Sequence, residues 1–193
     1  MKDETDLIQA AKKLDQDALT AIFDIYAPAI YTYVLRLCHD PIESDHIVGD
    51  VFAQLLEQFA AGKGPHSNLR SYLYQIAYHL VVDGARHNQR FAPLEVVIES
   101  AGKLITISTQ VEKRVLMEAL ISTANNDLTD IQRHVIILRF LEGFSLRETA
   151  AIIGKNINHI KVIQNRGIAR LRKSLCLKLD VDKKGLSPSQ VDF

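Results

Sequence analysis

Cysteine is nearly missing from this 193-residue sequence, and the two that occur, Cys38 and Cys176, lie far apart inside apolar helical patterns. That excludes a disulfide scaffold and any CxxC motif, and predicts buried thiols in a reducing compartment. Long apolar runs are missing too: no uncharged stretch approaches the roughly 20 residues that cross a bilayer. The opening Met1-Lys-Asp-Glu-Thr-Asp lacks the pattern of a secretory signal. The expectation is a cytoplasmic chain with no membrane insertion. The seven histidines are scattered, with no pair at metal-ligand spacing beside a third ligand, and no glycine loop could cradle a phosphate. No catalytic residue, metal, cofactor or small-molecule substrate is therefore expected, and the enzyme classes fall away.

An excess of one charge sign is absent only on average. Residues 1–60 carry four basic against eleven acidic side chains, while residues 61–90 carry four against one. Residues 91–127 return to acidic, three against five, and residues 128–179 are strongly basic, ten against three. An acidic face and two basic segments on one chain predict two kinds of partner.

What is present is helical periodicity. Leu19, Ile22, Phe23, Tyr26, Ile30, Tyr33, Val34 and Leu37 follow the i, i+3, i+4, i+7 spacing of one helix face, with Pro28 expected to bend the helix. After Asp40-Pro41 a second stripe runs through Ile47, Val48, Val51, Phe52, Leu55, Leu56 and Phe59, and the Gly62-Lys-Gly-Pro65 stretch ends it. A third helix places Leu69, Leu73, Ile76 and Leu80 on one face and Gln75, His79, Asp83, Arg86 and Arg90 on the other. Residues 91–110 read as a linker, residues 111–123 as a helix, and residues 180–193 as a polar mobile tail. The fold class is all-α: two small helical domains, 1–90 and 111–179, joined by a flexible linker.

The second domain carries the most specific pattern. Leu128, Ile131, Val135, Leu138 and Leu141 line a helix that should stop at Gly143. Ser145-Leu-Arg-Glu148 reads as a capping box that opens a short helix. Gly154-Lys-Asn156 is a three-residue turn of the length a helix-turn-helix needs, and a recognition helix follows from Ile157. Its candidates for DNA contact are Arg147, Lys155, Asn158, His159, Lys161, Val162, Asn165 and Arg166, with Arg170, Arg172 and Lys173 behind them as phosphate partners.

The run LTDIQRHVIILRFLEGFSLRETAAIIG, residues 128–154, resembles region 4 of bacterial RNA polymerase sigma factors, above all the extracytoplasmic-function group. The helix from Ala18 to Cys38, then ESDHIVGDVF at 43–52, then LRSYLYQIA at 69–77 with Asp83 and Arg86, resembles region 2 of the same family. The resemblance implies binding to core RNA polymerase (clamp helices and flap), recognition of promoter DNA at minus-ten and minus-thirty-five elements, and silencing by an anti-sigma factor. It assigns polymerase binding to Asp45, Val48, Asp50, Val51, Gln54 and Glu57, the carboxylates facing a basic coiled coil. It assigns minus-ten recognition to the 60–68 loop and the third helix through Lys63, Asn68, Ser71, Tyr72, Gln75, His79 and Arg86, which would meet a flipped base and the separated strand. The minus-thirty-five element falls to the helix-turn-helix set above.

Several positions depart from the family pattern. Tyr72 stands for a tryptophan and His79 for an asparagine, and His46 and Gly49 replace an acidic residue and a glutamine. Ile163 and Gln164 stand where arginine and an apolar residue are frequent. The linker, with Glu95 and Glu99, would thread toward the polymerase active centre. A dimeric helix-turn-helix regulator that binds operators unaided is the alternative; an antagonist that sequesters partners is disfavoured by the basic recognition helix.

Overall fold

The computed structural model describes the backbone of residues 4–87 and 127–185, and the side chains of residues 4–84 and 127–174. The expected linker, the expected helix over 111–123 and the side chains of Arg86 and Cys176 lie outside the described residues.

The chain begins with a helix the apolar stripes did not announce, α1 (Glu4–Lys12). Acidic Glu4 and Asp6 at its start and Lys12 at its end suit the helix dipole, and Ile8 and Ala11 are fully buried. The helix α2 (Gln16–Cys38) starts where the Asp15 carboxylate accepts from the Ala18 N–H at 2.9 Å, and ends at His39, whose φ is +58°. It runs unbroken through exposed Pro28. By length and composition alone α2 would pass as a membrane span. In the fold it is the central helix of a bundle, with Ile22, Ile30, Tyr33 and Val34 buried completely.

The helix α3 (Pro41–Ala60) begins with Asp40 accepting from the amides of Ile42 and Glu43, and proline occupies the first turn, where its missing donor is not needed. It ends as expected before Gly62, whose φ is +70°. The next helix, α4 (Leu69–His87), buries the predicted Leu69, Leu73 and Ile76, but also Tyr74, Ala77 and Val81. It is covered on two sides, by α2 and α3 on one and by the second half of the molecule on the other.

That second half opens with α5 (Asp130–Ile136) and passes without a break into one π-helical turn, Ile137–Leu141. There the Glu142 N–H reaches the Ile137 carbonyl at 3.0 Å and the Phe144 N–H reaches that of Leu138 at 2.9 Å. The predicted stop at Gly143 holds, with φ +75°, but the last turn is wider than an α-turn. Then come α6 (Leu146–Ile153) and the long α7 (Ile157–Gly185), which takes in the first six residues of the expected tail. Gly167 lets α7 approach α5, since a Cβ there would meet Ile136 Cγ1 at 3.2 Å. Among the described residues one contiguous core extends from Ile8 in the first half to Ile163 in the second, with a smaller cluster of Leu128, Ile136 and Leu171 beneath α7.

Candidate nucleic-acid interface

The helix-turn-helix is built from local hydrogen bonds the sequence spells out. Glu148 Oε2 accepts from the Ser145 N–H at 2.7 Å, and Ser145 Oγ accepts from the Glu148 N–H at 3.2 Å. Those bonds from Ser145 hold the Glu148 carboxyl below its usual range. Gly154 closes α6 at φ +69°, and Asn156 Oδ1 accepts from the Asn158 N–H at 2.9 Å to start α7. The turn thus spans residues 154–156, the length expected.

On α7 two faces separate cleanly. Ile160, Ile163, Gly167 and Leu171 are buried, while Asn158, His159, Lys161, Val162, Asn165 and Arg166 are exposed together with Arg147 and Lys155. All eight candidates for the minus-thirty-five element therefore lie open on the helix-turn-helix. The two departures from the family pattern have structural roles. Ile163 fills the core at 7% exposure, and Gln164 Oε1 accepts from Arg139 Nε at 3.0 Å, tying the recognition helix to the π turn. Neither belongs to the exposed stripe.

In the first half, Asp45, Asp50, Gln54 and Glu57 are exposed on α3, whereas Val48 and Val51 point into the core at 7% and 0% exposure. A partner on this face would meet the carboxylates, not those two valines. Its apolar contact would come from Phe23, Leu56 and Ile42, which are 47%, 41% and 69% exposed; Phe23 lies on Phe52 with ring centroids 4.8 Å apart. Among the residues expected to meet the opened strand, Lys63, Asn68 and His79 are exposed, and Ser71, Tyr72 and Gln75 are half-buried along one face of α4. Burial raises the Tyr72 hydroxyl above its ordinary pKa, in keeping with a ring packed partly against the core.

The two halves meet along a seam. Glu142, immediately after the π turn, accepts from Arg36 Nη1 at 2.7 Å and from the Tyr74 hydroxyl at 2.6 Å, and its backbone carbonyl accepts from Arg70 Nη2 at 2.6 Å. Arg70 also lies over the Phe144 ring, 4.2 Å from its centroid. Deeper in, the Tyr33 hydroxyl and His134 Nδ1 are 2.8 Å apart, and Tyr78 meets the same imidazole edge-on at 4.8 Å. Burial pushes His134 down to about 3, with Arg133 adding to the shift, so the ring is neutral at physiological pH. A cleft of about 370 Å³ opens at the end of the seam between Tyr78, His79, Val82 and Asp83 of α4 and Ile153 and Lys155 of the helix-turn-helix.

Residues 126–173 match the family model for region 4 of sigma-70, and residues 22–91 match that for region 2, so between them the two models cover more than half of the chain. The chain belongs to the sigma-70 family of sigma factors. The extracytoplasmic-function RNA polymerase sigma factor BldN of Streptomyces coelicolor is 27% identical over 177 residues, which is 88% of this chain and 65% of BldN. SigW of Bacillus subtilis is 28% identical over 180 residues, 87% of this chain and 94% of its own length. CnrH, solved with the cytosolic domain of CnrY, superimposes with a TM-score of 0.68 at 19% identity, over 90% of this chain and 97% of that one. RpoE of Bartonella quintana, solved with the anti-sigma factor NepR, gives 0.61 at 21% identity, over 81% and 95%. Both likenesses establish the fold.

In this sigma factor the seam was not legible in the sequence: Arg36, Arg70, Tyr74, Tyr78, His134 and Glu142 stood in no pattern singled out there, and Tyr33 figured only in the apolar stripe of α2. A signal existed. Arg70, Tyr74 and Tyr78 recur at i, i+4, i+8, a second stripe on a helix whose first stripe already supplied a core face.

Proposed function

We propose that this chain binds core RNA polymerase and directs it to promoters with minus-ten and minus-thirty-five elements, acting in the cytoplasm. One observation carries the reading: a helix-turn-helix with a fully exposed polar and basic recognition face belongs to the same chain as an acidic, apolar-rimmed α2–α3 face. The first reads DNA. The second has the chemistry of a docking surface for a basic helical partner, the polymerase clamp helices, with Asp45, Asp50, Gln54 and Glu57 around Phe23 and Leu56. Lys161 and Arg166, with Asn158, His159 and Asn165 on the same helix face, address the minus-thirty-five element. Lys63, Asn68, Ser71, Gln75 and His79 address the minus-ten strand, with Tyr72 offering a half-exposed ring beside them.

The seam adds a condition. His79 and Lys155 share one cleft, yet elements centred at minus ten and minus thirty-five lie about 85 Å apart on B-form DNA, at roughly 3.4 Å per base pair. Both cannot be engaged with the seam closed, so polymerase binding must part the halves. An anti-sigma partner would act by holding them together, and the flap is the polymerase element suited to region 4 once they part. Single-round run-off transcription with core polymerase tests the reading. A promoter-specific transcript that depends on the chain is expected; no transcript and no core binding would refute it.

A further inference from the structure

The 61–68 loop is held from outside, by α1. Asn68 precedes α4 but cannot cap it, because an N-cap residue takes an extended backbone and Asn68 has φ +56°. Its side-chain amide turns to Ser67 Oγ at 3.5 Å, and the side chain is exposed. One of the amides left over at the start of α4 is taken by α1: the Leu69 N–H donates to Glu4 Oε1 at 3.0 Å. A carboxylate at a helix N-terminus is also favoured by the helix dipole. At the far end of α1, Lys12 Nζ lies 3.4 Å from the Gly64 carbonyl and 3.2 Å from His66 Nδ1. Gly64 itself is pressed so closely on Phe59 that a Cβ there would come within 3.0 Å of the ring. The helix that supplies these three contacts is anchored, since Ile8 and Ala11 are fully buried against the bundle.

We propose that α1 is the brace of the minus-ten reading loop, with Glu4 and Lys12 as positioning residues that touch no DNA themselves. Glu4 holds the first amide of α4 and so fixes the end of the loop at Asn68. Lys12 fixes the loop at Gly64 and His66, one on each side of Pro65. Together they hold Lys63 and Asn68 in a single presentation toward the separated strand, which is what base selectivity requires of a loop. The inference rests on the minus-ten role proposed above for Lys63 and Asn68.

The test uses the full chain with core polymerase and a set of promoters that differ at single minus-ten bases, read by single-round transcription and by permanganate reactivity of the melted strand. The variants are Glu4→Ala, Glu4→Gln, Lys12→Met and Asn68→Ala. Glu4→Ala should reduce the ratio between the preferred and the substituted bases about tenfold, the scale of a hydrogen bond to a charged group. Glu4→Gln keeps an acceptor oxygen and should restore most of that ratio, and Lys12→Met should flatten the profile more mildly. Core affinity and minus-thirty-five protection should not change in any of them. If Asn68→Ala flattens the base profile and Glu4→Ala does not, the brace is wrong and the loop's minus-ten role stands. If Glu4→Ala lowers transcription equally on every promoter along with the thermal midpoint, its role is merely structural and the proposal fails. If Asn68→Ala leaves the profile intact, the minus-ten reading of the loop fails and the brace falls with it.

Discussion

Among the described residues, His134 is the one whose burial ties the closed form to pH. Its folded pKa is held at about 3 by burial, against 6.5 when free. The lowered value means that protonation favours the open or unfolded chain. Stability from this group is therefore complete above pH 6.5 and declines as pH falls toward 3, by about 1.4 kcal/mol per unit while only the exposed ring is protonated. Thermal midpoints measured from pH 7.5 to 5 should fall in that window, and His134→Gln should remove most of the slope. Gly49 makes the opposite kind of prediction. It is exposed in the middle of α3 with nothing within 4 Å of an added Cβ. Gly49→Ala should gain about 1 kcal/mol, raising the midpoint by roughly 2–4 °C in calorimetry. Cys38 bears out the buried thiol read from the sequence: burial, helped by Glu43 and Asp40, pushes it up to about 12. Ile163 and Gln164, which stood out against the family pattern, resolve into a core contact and a helix tie. Only tertiary packing decides which side of α7 faces the core, so their roles were not readable from the pattern alone.

At the scale of elements, the sequence was most legible where local chemistry dictates structure. The Ser145–Glu148 box, Gly154 and the Asp40-Pro41 start each rest on hydrogen bonds within four residues, and each lies where expected. The illegible elements depend on distant partners. The π turn at Ile137–Leu141 carries Glu142 onto Arg36 and Tyr74, over a hundred and nearly seventy residues away in sequence. The helix α1 is only nine residues long, and earns its place through Ile8 and Ala11 in a core assembled by other helices. Two predictions belong here. Glu142→Ala leaves Arg36 and Tyr74 without their shared partner and should weaken the seam by about 2 kcal/mol. The thermal midpoint should fall, and core polymerase should bind up to about thirtyfold more tightly, as titration by fluorescence anisotropy would show; unchanged core affinity would mean that the seam does not compete with the polymerase. Lys161→Ala and Arg166→Ala on the exposed face of α7 should each lower use of a promoter that depends on its minus-thirty-five element by about tenfold, the scale of one good base or phosphate contact. Core affinity should stay the same in that assay.

At the scale of the molecule, a net charge of zero conceals a division of labour. The acidic first sixty residues and the basic helix-turn-helix are suited to different partners, and the alternation was visible in the sequence as a block count. Their mutual packing was not. A helix such as α4, read one stripe at a time, shows a core face and a polar face, and the polar face was assigned to nucleic acid. In the fold a third stripe between those two faces, Arg70, Tyr74 and Tyr78, packs on the second half of the same chain. With its halves packed together, the protein should be unable to read a two-part promoter by itself. DNase footprinting on a promoter fragment, with the chain alone and with core polymerase added, tests this most directly. The chain alone should give no protection of the two elements at physiological salt, and chain plus core should protect both, with the minus-ten strand melted. A footprint on a palindromic site by the chain alone, unaffected by core polymerase, would contradict the account and identify an independent regulator instead.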